Sequence, residues 1–293
     1  MYRIGILGAE NSHAMAFAQI FNGYKPELAD RFPDIRVTAV GGMYPEENRK
    51  VYEQCGLDLL CANPEDMLGQ VDAVMVTARD GAYHAAFARP FIEAGIPAFI
   101  DKPFTRNPKE ALELARLARS RGVPLAGGSS VKLCSAAAEL RAAVRKAGDS
   151  IRGGDVTAPV SLKNDYGDFW FYSAHLAESC LAIFGPDAEW VWASRTEEGV
   201  TAVVHYPRFE VTNHFIESAY HYAASLMTTE GIRFEPLVID DIYSLECESF
   251  AKMLRTGEMD YTYEELVRPV FYLDAVERSF LTGKRQFIEE VRV

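Results

Sequence analysis

Glu93-Ala94-Gly95-Ile96-Pro97-Ala98-Phe99-Ile100-Asp101-Lys102-Pro103 packs a helix end, a strand and a charged strand terminus into one run. Ala82 to Ala94 reads as a helix, and Gly95 is a natural C-cap. Ala98-Phe99-Ile100 is a short apolar strand that ends in an acid, a lysine and a proline. Open α/β sheets offer reactive groups to ligands at such carboxyl ends. The proline holds Lys102 extended, which makes a solvated-face role for Lys102 the poorer reading.

The flanking sequence repeats the same alternation. Strand patterns at Tyr2–Leu7, Ile35–Val40, Leu57–Cys61, Val71–Val76 and Pro124–Ala126 are separated by helix patterns at 14–21, 45–55 and 107–121. Asn63-Pro64-Glu65-Asp66 adds a further helix start. Such alternation implies α/β class, with a doubly wound parallel sheet. After Gly127-Gly128 the pattern changes. Period-two runs at Trp190–Ala193, Thr201–Tyr206 and Asn213–Tyr222 suit an open, mainly antiparallel sheet. Helices are expected at 135–147, 169–184, 239–255 and 263–281.

Bulk properties bound the function. The chain has 293 residues, 48% of them hydrophobic, with a net charge of -12. That charge argues against nucleic acid and anionic membrane as partners. No run is long and apolar enough to span a bilayer, and the chain opens directly on a strand, so a cytoplasmic location is expected. The five cysteines are scattered and read as small buried hydrophobes in a reducing compartment. The six histidines form no His-Glu-x-x-His motif, so no metal site is expected.

The first strand runs into Gly8-Ala9-Glu10-Asn11-Ser12-His13. A dinucleotide fingerprint needs three glycines. Gly8 supplies the first, while an ungapped reading puts Glu10 at the second and His13 at the third. A carboxylate there would repel phosphate by about 1 kcal/mol even at water-like dielectric. Alternatively the loop is shorter, and Asn11 or Ser12 caps a helix whose amides can still hold an anion. A plain strand–loop–helix without a nucleotide is equally open. The second strand ends in Gly41-Gly42-Met43-Tyr44, without the acid that usually holds a ribose, and Arg49 is the nearest base. Thr77-Ala78-Arg79-Asp80 closes the next strand; His84 beyond it reads as a helix-face residue. His175 and Glu178 are three apart and share a helix face, so Glu178 could orient or charge the imidazole.

Taken together, the chain resembles the glucose–fructose oxidoreductase / inositol dehydrogenase family of NAD(P)-dependent oxidoreductases. Glu93–Pro103 is similar to that family's EAGKHVLCEKP segment, with Asp101 in place of Glu. Ser173-Ala174-His175-Leu176-Ala177-Glu178 is similar to its D-x-G-x-H-x-x-D helix. Val71–Thr77 and His13-Ala14-Met15-Ala16-Phe17 add to the likeness. The resemblance implies a Rossmann-type nucleotide-binding domain over 1–126 and an α+β substrate and oligomerisation domain over 127–293. It implies NAD or NADP bound by Gly8, Ala9, Glu10, Asn11, Ser12, His13, Thr77, Arg79, Asp101 and Lys102. It also implies Lys102 and His175 as catalytic groups with Glu178 in support, a sugar-like or polyol substrate, and a homodimer or homotetramer built through the C-terminal sheet. His175 would take the hydroxyl proton and Lys102 would stabilise the alkoxide. The chain departs from the pattern at Phe171, where the family has Asp, and at Ser173 and Glu178. Asp168 or Tyr172 is the candidate substitute for the missing Asp. Beside the oxidoreductase stand two alternatives: a degenerate member without redox activity that binds a ligand or regulates, and a lyase or hydrolase using His175 and Glu178.

Overall fold

In the computed structural model, which describes residues 1–293, the chain forms two sheets. The first contains β1 (Tyr2–Leu7), β2 (Ile35–Gly41), β3 (Leu59–Cys61), β4 (Ala73–Val76), β5 (Ala98–Asp101) and β6 (Leu125–Gly128). Their order is β3-β2-β1-β4-β5-β6 and every pairing is parallel. Helices α1 (Ser12–Phe21), α2 (Pro45–Gln54), α3 (His84–Glu93) and α4 (Pro108–Arg121) connect them. The strand order reverses between β1 and β4, which opens a crevice above their carboxyl ends. The helix start at Asn63 yields only a 3-10 turn, Pro64–Met67, closed by reciprocal Asn63–Asp66 capping.

The second sheet has the order β12-β11-β7-β10-β9-β8-β13. It comprises β7 (Ile151–Val160), β8 (Trp190–Thr196), β9 (Gly199–His205), β10 (Glu210–Glu217), β11 (Ala223–Thr228), β12 (Gly231–Pro236) and β13 (Gln286–Phe287). Only β7 and β10 pair in parallel. The strand expected to reach Tyr222 stops at Glu217, because Ser218 turns the chain with φ 56°. Tyr220-His221-Tyr222 is therefore a loop. Helices α5 (Ser135–Ala147), α6 (Phe169–Phe184), α7 (Ile242–Thr256) and α8 (Tyr263–Thr282) complete the fold. No helix is long and apolar enough to cross a membrane.

Packing ties the sheets together. Helix α6 is apolar around nearly its whole circumference, as a helix buried on all sides must be. It packs on β7 and β10 and against α5 and α8. Helix α7 returns to the first sheet. Its Cys247, Phe250, Ala251 and Met253 share one core with Ile4, Ile6, Phe17 and Phe99. The Phe250 ring meets Phe99 edge-on at 5.8 Å. Phe250 is fully buried, so Phe250→Ala is expected to lower the free energy of unfolding by about 3–5 kcal/mol, measured by urea titration.

Candidate active site

The crevice above β1, β4 and β5 is shaped by Gly8. Its φ is 93°, and a Cβ there would stand 2.5 Å from Ala78 Cα. Only glycine lets the first loop lie this close to the third. The Thr77 hydroxyl donates to Gly8 O at 2.6 Å and locks the approach, so Thr77 acts on the loop. Asn11 caps α1, its Oδ1 accepting from His13 N–H. The shortened-loop reading is thus the one the backbone adopts. Ala9 is buried in the core. The N–H groups of Glu10, Asn11 and Ser12 donate to no protein acceptor. Three free amides at a helix N-terminus form an anion cradle. The Glu10 Oε1 accepts the Arg79 backbone N–H at 2.9 Å, while its buried Oε2 has no protein partner.

Asp101 and His13, both expected to touch a cofactor, engage each other. Asp101 is wholly buried. Its Oδ1 accepts Lys102 N–H at 2.7 Å, and its Oδ2 accepts Asn11 Nδ2 at 3.2 Å and lies 2.6 Å from His13 Nδ1. His13 in turn meets Tyr243 edge-on at 4.8 Å. Burial pushes the Asp101 carboxyl up, but His13 and Lys102 outweigh burial and hold it below the usual carboxylate range. Both oxygens are committed, so the pair braces β5 against the α1 loop.

Lys102 follows in the chain and is 4% exposed. Its ammonium donates to Phe171 O at 3.1 Å and stands 4.6 Å from the Phe171 ring centre and 5.3 Å from that of Tyr172. Burial lowers its pKa against the opposing pull of Asp101. Arg79 lies over Tyr166 at 4.5 Å and over Phe171 at 5.5 Å. The Phe171 ring thus lies close to two cations, at the position where the resemblance implies an Asp. Of the two candidate substitutes, Asp168 turns away to accept Asn164 N–H at 2.9 Å. Tyr172 stays beside the pair, with its ring 5.9 Å from that of His175.

His175 projects from α6. Its Nδ1 is 2.7 Å from Ser129 Oγ, and its Nε2 has no protein partner. The Tyr222 ring meets it edge-on at 5.9 Å, so the misjudged strand end becomes a wall of the site. Burial is the main cause that pushes the imidazole well below its ordinary 6.5, with Lys102 adding to it. His175 is neutral at neutral pH.

Glu178 does not bond to His175, as its shared helix face suggested. Its Oε2 accepts Lys132 Nζ and Ser129 N–H, each at 2.7 Å. Burial works against the Lys132 ammonium, but Glu178 outweighs it and raises the lysine pKa. Gly128 permits this packing, since a Cβ there would fall 2.2 Å from Glu178 Oε2. Ser129 and Lys132 are the members that reading the sequence missed. They follow the carboxyl end of β6, the same kind of position that singled out Lys102. Glu246 on α7 is a further buried acid. Neither of its oxygens has a hydrogen-bond partner, and burial together with Asp101 pushes its carboxyl well above the usual range. No group of three His, Cys, Asp or Glu side chains converges as metal ligands.

A doubly wound parallel sheet with a glycine-tight first turn and unpaired amides at the head of α1 is the architecture of a dinucleotide-binding fold. Residues 2–129 match the model of the Gfo/Idh/MocA family, described as an oxidoreductase family with an NAD-binding Rossmann fold. The resemblance and the fold class read from the sequence are both borne out. No curated protein is matched by sequence. Solved structures share the whole fold. A probable dehydrogenase from Thermotoga maritima is 17% identical with a TM-score of 0.84, covering 99% of this chain and 100% of its own. A scyllo-inositol dehydrogenase from Lactobacillus casei, solved with NAD(H) and scyllo-inositol, is 14% identical with a TM-score of 0.83 over 98% and 99%. An oxidoreductase from Agrobacterium radiobacter, in complex with NAD+, L-tartaric acid and magnesium, is 12% identical with a TM-score of 0.79 over 98% of each chain.

Two outcomes are expected. Glu178→Ala strands the buried Lys132 charge and is expected to destabilise by about 3–5 kcal/mol, whereas Glu178→Leu combined with Lys132→Met recovers most of the loss in chemical denaturation. An imidazole depressed on folding binds fewer protons folded than unfolded. The unfolding free energy therefore falls as pH drops below 6.5. His175→Gln is expected to flatten that acid limb in denaturation curves taken across pH.

Proposed function

We propose that the protein is an NAD(P)-dependent oxidoreductase that moves hydride between a nicotinamide and a carbinol carbon of a sugar-like or polyol substrate. The observation that carries this reading is the Lys102–His175 pair, two desolvated proton-handling groups beside the anion cradle of α1. The residues present fit a dinucleotide. The amides of Glu10, Asn11 and Ser12 would hold its pyrophosphate, beside the tight turn that Gly8 makes against Ala78. At the ribose end Gly42 lies flush on Gly8, where a Cβ would be 2.9 Å from Gly8 Cα, and no carboxylate is offered. Bound nicotinamide supplies the hydride donor or acceptor. Lys102 and His175 must together handle the hydroxyl proton and the negative charge that develops on oxygen. The rings of Tyr172 and Tyr222 wall the space above them and suit the apolar faces of a cyclic polyol. The scyllo-inositol bound by the Lactobacillus casei structure supports this substrate class. Pairing of two copies would use the outer face of the second sheet, where Trp192 and Ile216 are exposed.

The test is titration with NADH and NADPH, followed by fluorescence. Micromolar binding by at least one cofactor is expected, weakened about tenfold, or ~1.4 kcal/mol, in Lys102→Ala. No binding of either at millimolar concentration would contradict the reading and favour a scaffold without redox activity.

A further inference from the structure

The site holds a hydrogen-bond relay that the proposed reaction does not yet use. Ser129 is 1% exposed and caps the 3-10 turn that follows β6. Its N–H donates to Glu178 Oε2 at 2.7 Å, and Glu178 is fixed by Lys132. Lys132 Nζ also donates to Gly127 O at 3.1 Å. Ser129 is therefore tied down on one side by a buried ion pair. On the other side its hydroxyl oxygen accepts Val131 N–H at 3.2 Å and lies 2.7 Å from His175 Nδ1.

A hydroxyl has one proton to give. His175 Nδ1 is the only acceptor within reach of Ser129 Oγ. Were Nδ1 protonated, it would donate to an oxygen that already accepts from Val131, and the Ser129 proton would be buried with no acceptor. Buried donors without acceptors are disfavoured. The satisfied arrangement has Ser129 O–H donating to Nδ1, which leaves the ring proton of neutral His175 on Nε2.

We propose that Ser129, held by the Lys132–Glu178 pair, is a positioning residue that fixes His175 as its Nε2–H tautomer, so that His175 donates a hydrogen bond to the reacting oxygen and Lys102 exchanges the proton. This division of labour rests on the oxidoreductase reading; the tautomer does not. It exchanges the two roles that the family resemblance implies. In the oxidation direction Lys102 acts from its deprotonated form, which burial makes easier to reach: the substrate hydroxyl proton passes to the Nζ amine, which becomes the ammonium that donates to Phe171 O. His175 keeps its Nε2 proton and directs it at the oxygen as negative charge develops there. In reduction the ammonium returns the proton. The geometry agrees with the chain's departure from its family. With Phe171 where an Asp is usual, no carboxylate hydrogen-bonds His175; Asp101 favours an imidazolium only from a distance and is outweighed by burial and Lys102, and a neutral donor has no need of one. The low folded-state pKa of His175 and the lowered pKa of Lys102 point the same way.

The experiment is two-bond 1H–15N correlation NMR on the full chain labelled with 15N-histidine at pH 7, with His175 assigned from the spectrum of His175→Gln. The wild type is expected to show the Nε2–H pattern. Ser129→Ala is expected to shift the His175 nitrogens toward the Nδ1–H form or an averaged mixture, and Ser129→Thr to restore the wild-type pattern. An Nδ1–H pattern in the wild type overturns the proposal, as does a pattern that Ser129→Ala leaves unchanged. If Ser129→Ala does not fold, the wild-type spectrum decides alone. NADH titration of the same samples separates the two ideas: an Nε2–H pattern without cofactor binding removes the redox reading and leaves the tautomer. Binding with an Nδ1–H pattern does the reverse.

Discussion

Burial of the Lys102 ammonium is the constraint around which the site is arranged. An ammonium removed from water is costly unless other groups replace its hydration. Here the replacements are the Phe171 carbonyl and the faces of two aromatic rings, with the Asp101 carboxylate nearby. Each of these needs its own support. Asp101 is oriented by Asn11 and His13, so the cradle loop and the lysine strand are fixed by one carboxylate. Phe171 sits on α6, whose burial on all sides sets its position. A lysine maintained this way sits closer to neutrality than a solvated one, which is the property proton exchange requires.

The same site depends on a second buried charge pair. Lys132 and Glu178 neutralise each other behind His175, and Ser129 carries their rigidity forward. A buried ion pair contributes little net stability, and its best-supported role is to specify one arrangement. That fits its place here, where the quantity specified is the direction of a single hydroxyl. Helix α7 supplies the rest of the rigidity, since its apolar face closes the first sheet's core beneath His13.

The parallel sheet was legible because its strands are apolar runs separated by capped helices, and Gly95, Asn107-Pro108 and Gly122 mark those ends without help from distant residues. The second sheet was less so. Ala223–Thr228 lacks a clear alternation and is a strand only because β7 and β12 flank it. Tyr220–Tyr222 has the composition of a strand, but Ser218 ends the ladder first. Within the site, Lys102 and His175 were visible from local rules. The partner of Glu178 was not. Helical spacing shows which side chains share a face, but the choice between His175 and Lys132 depends on a loop about 45 residues earlier in the chain. The partners of Asp101 were hidden for the same reason: Asn11 and His13 are some 90 residues away.

The most direct test of the account is a crystal structure of the protein grown with NADH. The expected result places the pyrophosphate on the amides of Glu10, Asn11 and Ser12 and the nicotinamide ring against Lys102 and His175, with the Asp101–His13 contact intact. A dinucleotide bound elsewhere, or one that enters only by breaking the Asp101–His13 contact, would contradict the proposal that this preformed lysine–histidine pair is where the nicotinamide meets its substrate.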